Sequence, residues 1–85
     1  MTAPEYTLRR AILRALIQCG GYLCPESALK DQVSLNVVPL PSQSDFDEAL
    51  RTVDAERLVI NGQGPIERTW KITEAGKVWA KENRV

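Results

Sequence analysis

The stretch SDFDEALRTVDAERLV, residues 44–59, determines how the rest of this 85-residue chain can be interpreted. Four of its apolar residues recur at the spacing of one helix face and are expected to be buried: Phe46, Ala49, Leu50 and Val53. The aliphatic stem of Arg57 is expected to extend this face. Ser44 is a suitable N-cap, and Asp47 follows three residues later as in a capping box. The stretch therefore predicts an amphipathic helix that leads into a strand.

Two further helices are predicted before this stretch. The first runs from Pro4 to Cys19, and its apolar face consists of Leu8, Ile12, Leu13, Leu16 and Ile17. Gly20 and Gly21 are expected to end it, because glycine accepts the left-handed conformation of a helix C-terminus. A short extended segment, residues 22–24, follows.

The second helix is predicted to begin with Pro25 in its first turn, where proline removes a donor that would lack a partner. It is expected to bury Ala28, Leu29 and Val33. It should end near Ser34 or Asn36, because prolines at positions 39 and 41 disfavour helix in the residues before them.

A hairpin and a last helix are predicted after the opening stretch. Residues 58–60 form the first strand, residues 61–65 are rich in turn formers, and residues 68–72 alternate polar and apolar like a half-buried return strand. Thr73 is expected to cap the last helix. Three residues of that helix are expected to face inward: Ala75, Val78 and Trp79.

This order of elements resembles the winged helix-turn-helix domains of bacterial transcription regulators. The segment AILRALIQCGGYLCPESAL (11–29) resembles the first helix, the turn and the start of the second helix. FDEALRTVDAERLV (46–59) is similar to the third helix and first wing strand, and RTWKITEAGKVW (68–79) to the return strand and the helix after it. The resemblance covers residues 6–82. It implies an α+β fold with a three-helix core, a wing hairpin of two to three strands and an added C-terminal helix, as a single domain over residues 1–85.

The composition favours a binding protein over an enzyme. Eleven basic side chains balance eleven acidic ones, and the chain contains no histidine. It also has no glycine-rich phosphate loop and no apparent nucleophile–base pair, so we expect no catalysis, no cofactor and no metal. Neither a signal peptide nor a membrane-spanning segment is evident, which predicts a cytoplasmic protein that does not contact a membrane.

The two cysteines, Cys19 and Cys24, flank the Gly20–Gly21 turn. Their spacing is not that of a CxxC motif, and the chain has no second cysteine pair to complete a metal site. A disulfide across the turn is conceivable. Free structural thiols are expected instead, because thiols stay reduced in the cytosol.

The resemblance implies that the protein binds double-stranded DNA, with the third helix in the major groove and the wing beside the backbone. Ser42, Gln43 and Ser44 stand at the start of that helix, where they can bond phosphates. Arg51 and Thr52 are expected to project from its exposed face. The wing adds Gln63, Arg68 and Lys71.

The charge of the helix-turn-helix segment opposes this expectation. Residues 25–57 hold three basic and seven acidic side chains, a net charge of −4, whereas affinity for DNA depends strongly on cations that contact phosphates. Asp45, Asp47 and Glu48 crowd the start of the third helix. They are explained either by capping and the helix dipole or by a basic partner.

The alternative function is therefore that of a protein-interaction module without DNA binding. Its surface would consist of the acidic third helix (Asp45, Asp47, Glu48 and Arg51), the wing, and the apolar loop that contains Val38 and Leu40. A simpler explanation of the same loop residues is that they cover the core. Homodimerisation is a further possibility, through the first helix, the last helix or this loop.

Overall fold

A computed structural model describes residues 5–20, 23–37 and 42–85 of the chain. The described residues form α1 (Glu5–Gln18), β1 (Cys24–Pro25), α2 (Glu26–Asn36), α3 (Gln43–Ala55), β2 (Val59–Gln63), β3 (Arg68–Ile72) and α4 (Glu74–Glu82). The predicted element order and the α+β class are confirmed. Val38 and Leu40, predicted as interaction residues, lie outside the described residues, as does Gly21.

The three strands form one antiparallel sheet with β3 in the centre, in the order β1-β3-β2. Cys24 pairs with Trp70 on one side of β3, and Asn61 pairs with Trp70 on the other. The prediction that residues 61–63 belong to the turn is wrong, because all three pair along β3 and lengthen the hairpin. The loop is reduced to residues 64–67, so the wing projects further than the sequence indicated.

The core lies between the helices and the inner face of the sheet. Its largest members come from every layer: Leu8, Ile12, Leu13 and Leu16 of α1, Leu29 and Val33 of α2, Phe46, Leu50 and Val53 of α3, and Val59, Trp70 and Ile72 of the sheet. The predicted buried face of α3 is confirmed, and Phe46 is completely buried. The apolar periodicity of residues 46–53 is therefore what seats α3 on the core.

Two residues predicted to be buried in α1 and α2 are exposed. Ile17 is 42% exposed because each step of four residues turns about 40° beyond one full revolution, which carries the row Leu13–Ile17 off the buried face. Ala15 is buried in its place. Ala28 is exposed because α2 buries only Leu29 and Val33, one turn apart.

The inward face of α4 differs from the prediction at two of three positions. Trp79 is half-buried and packs against the core as predicted, whereas Ala75 and Val78 are exposed, and the buried residues are Gly76 and Ala80. A Cβ at Gly76 would lie 2.1 Å from the carbonyl oxygen of Leu58, so only glycine permits this close approach. The close approach of α4 to the Leu58 backbone, rather than side-chain hydrophobicity, determines which face of α4 packs against the core.

The predicted ends of the first two helices are largely confirmed. Gly20 has a φ of 68°, the left-handed conformation expected after α1. α2 ends at Asn36 as predicted. Pro25, however, precedes the helix as its N-cap, with a φ of −59° and a ψ of 143°, and is not in its first turn. The pairing of Pro25 with Thr69 in the sheet holds its backbone extended and delays the helix by one residue.

The helix α3 begins two residues earlier than predicted. Ser42, not Ser44, is its N-cap: the Ser42 Oγ accepts from the Asp45 amide at 3.1 Å, and the Asp45 carboxylate accepts from the Ser42 amide at 3.4 Å. The sequence contains two overlapping Ser-x-x-Asp patterns, and the earlier one adds two residues to the helix. At the other end, Arg57 lies beyond α3, exposed and with a φ of 60°, so its stem does not extend the buried face.

The two serines provide a matched test of this cap. Ser42→Ala should lower the free energy of unfolding by about 1 kcal/mol, because the Asp45 amide loses its acceptor, the Ser42 Oγ. Ser44→Ala should change it by less than about 0.5 kcal/mol, as an exposed substitution does. Urea denaturation followed by circular dichroism measures both, and a larger loss for Ser44→Ala would place the cap at Ser44.

Candidate nucleic-acid interface

A groove separates α3 from the central strand of the sheet. It has a volume of about 220 Å³ and is lined by Asp47, Leu50, Arg51, Asp54, Arg68 and Trp70. The helix supplies the first four residues, which recur at one-turn spacing along its side. The strand supplies the other two. Both signs of charge thus face each other across an opening between α3 and the wing.

The outward face of α3 lies beside this groove. With 3.6 residues per turn, the positions opposite the buried face are Ser44, Glu48, Arg51 and Ala55, and all four are exposed. Arg51 is the only cation in this set and also lines the groove. No hydrogen bond or ion pair joins its side chain to another described residue, so its guanidinium can contact a ligand without breaking a contact in the protein.

The three acids at the start of α3 do not form one surface. Asp45 is half-buried and belongs to the capping box. Asp47 accepts a hydrogen bond from Gln43 Nε2 at 2.9 Å on the side of the helix that faces the wing. Glu48 alone stands on the outward face. The three carboxylates are close together in the sequence but lie on three different sides of the helix.

Two other predicted contacts at α3 bond within the protein. The Gln43 side chain accepts from Lys30 of α2 while it donates to Asp47, which links the two helices. Thr52 is half-buried, and its hydroxyl donates to the Glu48 carbonyl at 3.0 Å, one turn back along the helix. Ser44 is exposed, with its Oγ 3.4 Å from that of Ser42. Of these residues, Ser44 shares the outward face with Arg51.

The three predicted wing residues lie on two different faces of the sheet. Gln63 and Arg68 are directly paired across the hairpin. Side chains alternate along a strand, so Arg68 shares a face with the buried Trp70, on the side of α3. Lys71 is exposed on the opposite face, where it pairs with Ile60. The structure therefore brings Arg51, Arg68 and Gln63 to the groove side and leaves Lys71 on the far side of the sheet.

Arg68 is held by a carboxylate that the sequence analysis did not single out. The Glu26 Oε1 atom lies 2.7 Å from Arg68 Nη2 and accepts from the Trp70 indole nitrogen at 3.1 Å. The Arg68 guanidinium also lies over the Trp70 ring, 5.4 Å from its centroid. Glu26 is separated from both partners by more than forty residues. In the sequence, Glu26 is marked only by its position in the first turn of a helix. An acid at that position is already explained by the helix dipole, so it does not indicate a contact with the wing.

A second glutamate ties the wing loop to the same helix. The Glu67 carboxylate accepts from the Ser27 amide at 2.7 Å and from the Ser27 hydroxyl at 3.0 Å. Pro25, the N-cap of α2, makes no side-chain cap bond. Glu67 thus serves as the cap of α2 from the wing, with its negative charge at the positive end of the helix dipole.

The two cysteines are free thiols. Cys24 is buried in β1, and this burial, with smaller contributions from the hydrogen bond and charge of the neighbouring Cys19, raises the pKa of the Cys24 thiol to about 12. A thiol with such a pKa stays protonated and unreactive at neutral pH. Within residues 5–20, 23–37 and 42–85, no group of three potential metal ligands occurs, and no helix has the length and hydrophobicity to cross a membrane.

The link between wing and helix can be tested at one amide. Glu67→Ala should speed hydrogen exchange at the Ser27 N–H, because that donor loses its acceptor, and should cost about 1 kcal/mol of unfolding free energy. Glu82→Ala, an exposed substitution in α4, is the control and should change neither. Unaltered Ser27 exchange in Glu67→Ala would contradict the link.

Two solved structures are similar to this chain. One is F93 from STIV, a winged-helix DNA-binding protein: it is 15% identical, the match covers 93% of this chain and 82% of that one, and the TM-score is 0.76. The other is SSV1 F-93, 24% identical over 87% of this chain and 79% of that one, with a TM-score of 0.67. No family model matches the chain, and no curated protein is significantly similar to it. These similarities show that the chain has the winged-helix fold.

Proposed function

We propose that this chain is a non-enzymatic, transcription-regulator-like domain that binds double-stranded DNA through α3 and the wing. The observation that carries the proposal is the outward face of α3, with an unengaged Arg51 at its centre and the wing across a groove beside it. The similarity to F93 from STIV, a winged-helix DNA-binding protein, supports it. The role requires the cytoplasmic location that the sequence predicts.

The residues on the outward face are suited to reading base edges. An α-helix fits the major groove, where arginine donates to guanine O6 and N7 and a carboxylate accepts from cytosine N4. Arg51 and Glu48 are three residues apart on this face, so they can reach neighbouring base pairs. We therefore expect a preference for G·C pairs under the middle of α3.

Few cations are placed to contact phosphates. Arg68 is engaged with Glu26 and Trp70, and Lys71 faces away from the groove. The logarithm of the binding constant should then fall only weakly with the logarithm of salt concentration, with a slope no steeper than about −2, the value for two phosphate contacts. Binding should depend more on base contacts than on general attraction to the polyanion.

A second candidate function uses the same surface. Asp47 and Asp54 both line the groove, which suits a basic segment of a protein partner. The Asp54 carboxylate forms no hydrogen bond or ion pair with the described residues. DNA and a basic peptide would respond in opposite directions when these acids are neutralised, which separates the two functions.

Arg51 provides the first test of DNA binding. Arg51→Ala should weaken binding to a duplex that contains G·C pairs about tenfold and reduce the preference for G·C over A·T, because the arginine that donates to guanine is lost. Lys81→Ala, which removes an exposed cation of α4, is the control and should have little effect. Fluorescence anisotropy at salt concentrations of roughly 20 to 150 mM measures the affinity of both variants for the duplex. The absence of binding by the unmodified protein at the lowest salt would refute the proposal.

The acids of α3 provide the second test. Asp47→Asn combined with Asp54→Asn, the two acids that line the groove, should strengthen duplex binding, by about fivefold per charge removed, since unit charges about 4 Å apart interact by about 1 kcal/mol in water. Glu82→Gln in α4 is the control. Asp45 is left intact, because its loss would remove the cap of α3. If the double variant instead loses affinity for a lysine-rich peptide and gains none for DNA, the protein-interaction function is favoured.

A further inference from the structure

A second pocket, lined by basic side chains, lies away from α3 and the sheet. It is formed by α1, the end of α2 and the last residue of the chain, and it has a volume of about 150 Å³. Its lining residues are Thr7, Arg10, Ala11, Arg14, Asn36 and Val85. Two of these side chains are guanidinium groups, and none is a carboxylate.

Arg10 is fixed in the pocket wall by contacts between α1 and the C-terminal segment. Its Nη2 donates to the Arg84 carbonyl at 3.1 Å, and its guanidinium lies 5.7 Å from the centroid of the Tyr6 ring. Tyr6 is in turn anchored by a hydrogen bond to Asn83 at 3.0 Å and by its contact with Trp79. The guanidinium is therefore positioned before any ligand arrives.

The charge of Arg10 has no carboxylate partner in the described part of the chain. The residue is half-buried, and its Nε atom is shielded from solvent without a hydrogen-bond acceptor. Arg14 is one turn further along α1, is exposed, and likewise forms no ion pair with a described residue. The helix neighbours three and four residues from either arginine include no acid, so α1 itself does not neutralise the pair.

The end of α2 compensates for only part of this charge. A helix C-terminus carries a partial charge of roughly −0.5, and a terminal carboxylate on Val85 would add one full negative charge, against the two full positive charges of Arg10 and Arg14. Asn36 reduces the partial negative charge at the end of α2 further, because its Nδ2 donates to the Gln32 carbonyl at 2.9 Å in the last turn. The pocket thus retains a net positive charge next to two guanidinium groups.

We propose that Thr7, Arg10 and Arg14 bind a tetrahedral oxyanion, a phosphate group. Each guanidinium presents several donors in a plane that matches phosphate oxygens, and the Thr7 hydroxyl adds one more. The volume is about five times the ~30 Å³ that one water molecule occupies, which accommodates a five-atom anion. The phosphate belongs either to a free phosphorylated small molecule or to a nucleic-acid backbone.

Titration with inorganic phosphate, followed by NMR at constant ionic strength with chloride as the balancing ion, tests the site. Saturable shifts are expected at the Thr7 and Arg14 amides and at the Arg10 Nε–H resonance. Arg14→Gln should weaken phosphate binding about tenfold or more, because a charged hydrogen bond is lost. Arg57→Gln, which removes an exposed arginine outside both cavities, should leave it unchanged.

The outcomes separate this site from DNA binding by α3. Shifts that do not saturate, or equal losses in Arg14→Gln and Arg57→Gln, would overturn the proposal. Thr7→Val, which keeps the shape and removes the hydroxyl, should weaken phosphate binding while the thermal unfolding midpoint stays the same. In a parallel arm with duplex DNA, a loss in Arg14→Gln assigns the oxyanion to the backbone, and unchanged duplex binding assigns it to a free phosphate. The phosphate arm contains no DNA, so it stands whether or not the chain binds a duplex.

Discussion

The position of the wing depends on the Glu26 carboxylate. One of its oxygens accepts from the Trp70 indole and pairs with Arg68, so the first turn of α2 is joined to the central strand of the sheet. Glu67 repeats the connection from the wing loop to Ser27. These contacts hold β3 at a fixed separation from the helices, and α3 is packed on the same core. The groove between α3 and the wing is therefore a consequence of how α2 begins.

This attachment also determines which charges remain for a ligand. Arg68 is held against Trp70 by Glu26, which removes it from the set of freely placed cations. The cap at Ser42 removes Asp45 from the outward face in the same way. What remains there is one arginine, Arg51, and one carboxylate, Glu48. A helix with this pair contributes little general attraction to DNA, so its discrimination between bases has to come from directed hydrogen bonds.

The fold could be predicted where large apolar residues recur at a fixed period, as in Phe46, Leu50 and Val53. The prediction failed where small residues make the contact: Gly76 and Ala80 are the buried residues of α4, although Val78 is more hydrophobic. It also failed where two local patterns compete, as at Ser42 and Ser44. The sequence predicted that α3 carries the candidate site, but it did not predict how the individual side chains are placed. The division of Arg68 and Lys71 between two sheet faces follows from strand register, and the contacts of Glu26 and Glu67 join residues far apart in sequence.

Two ion pairs join different elements of this neutral chain. Arg9 pairs with Glu56 at 2.9 Å across α1 and the end of α3, and Arg68 pairs with Glu26 at 2.7 Å across the wing and α2. Arg14 and Arg51 differ from these, because each lines a cavity and forms no ion pair with a described residue. An arginine that lines a cavity without an ion pair adds little to the stability of a small protein. Both arginines place a cation at the wall of a cavity, which is what the recognition of an anion requires. The two proposed sites therefore lie on different elements of one neutral protein.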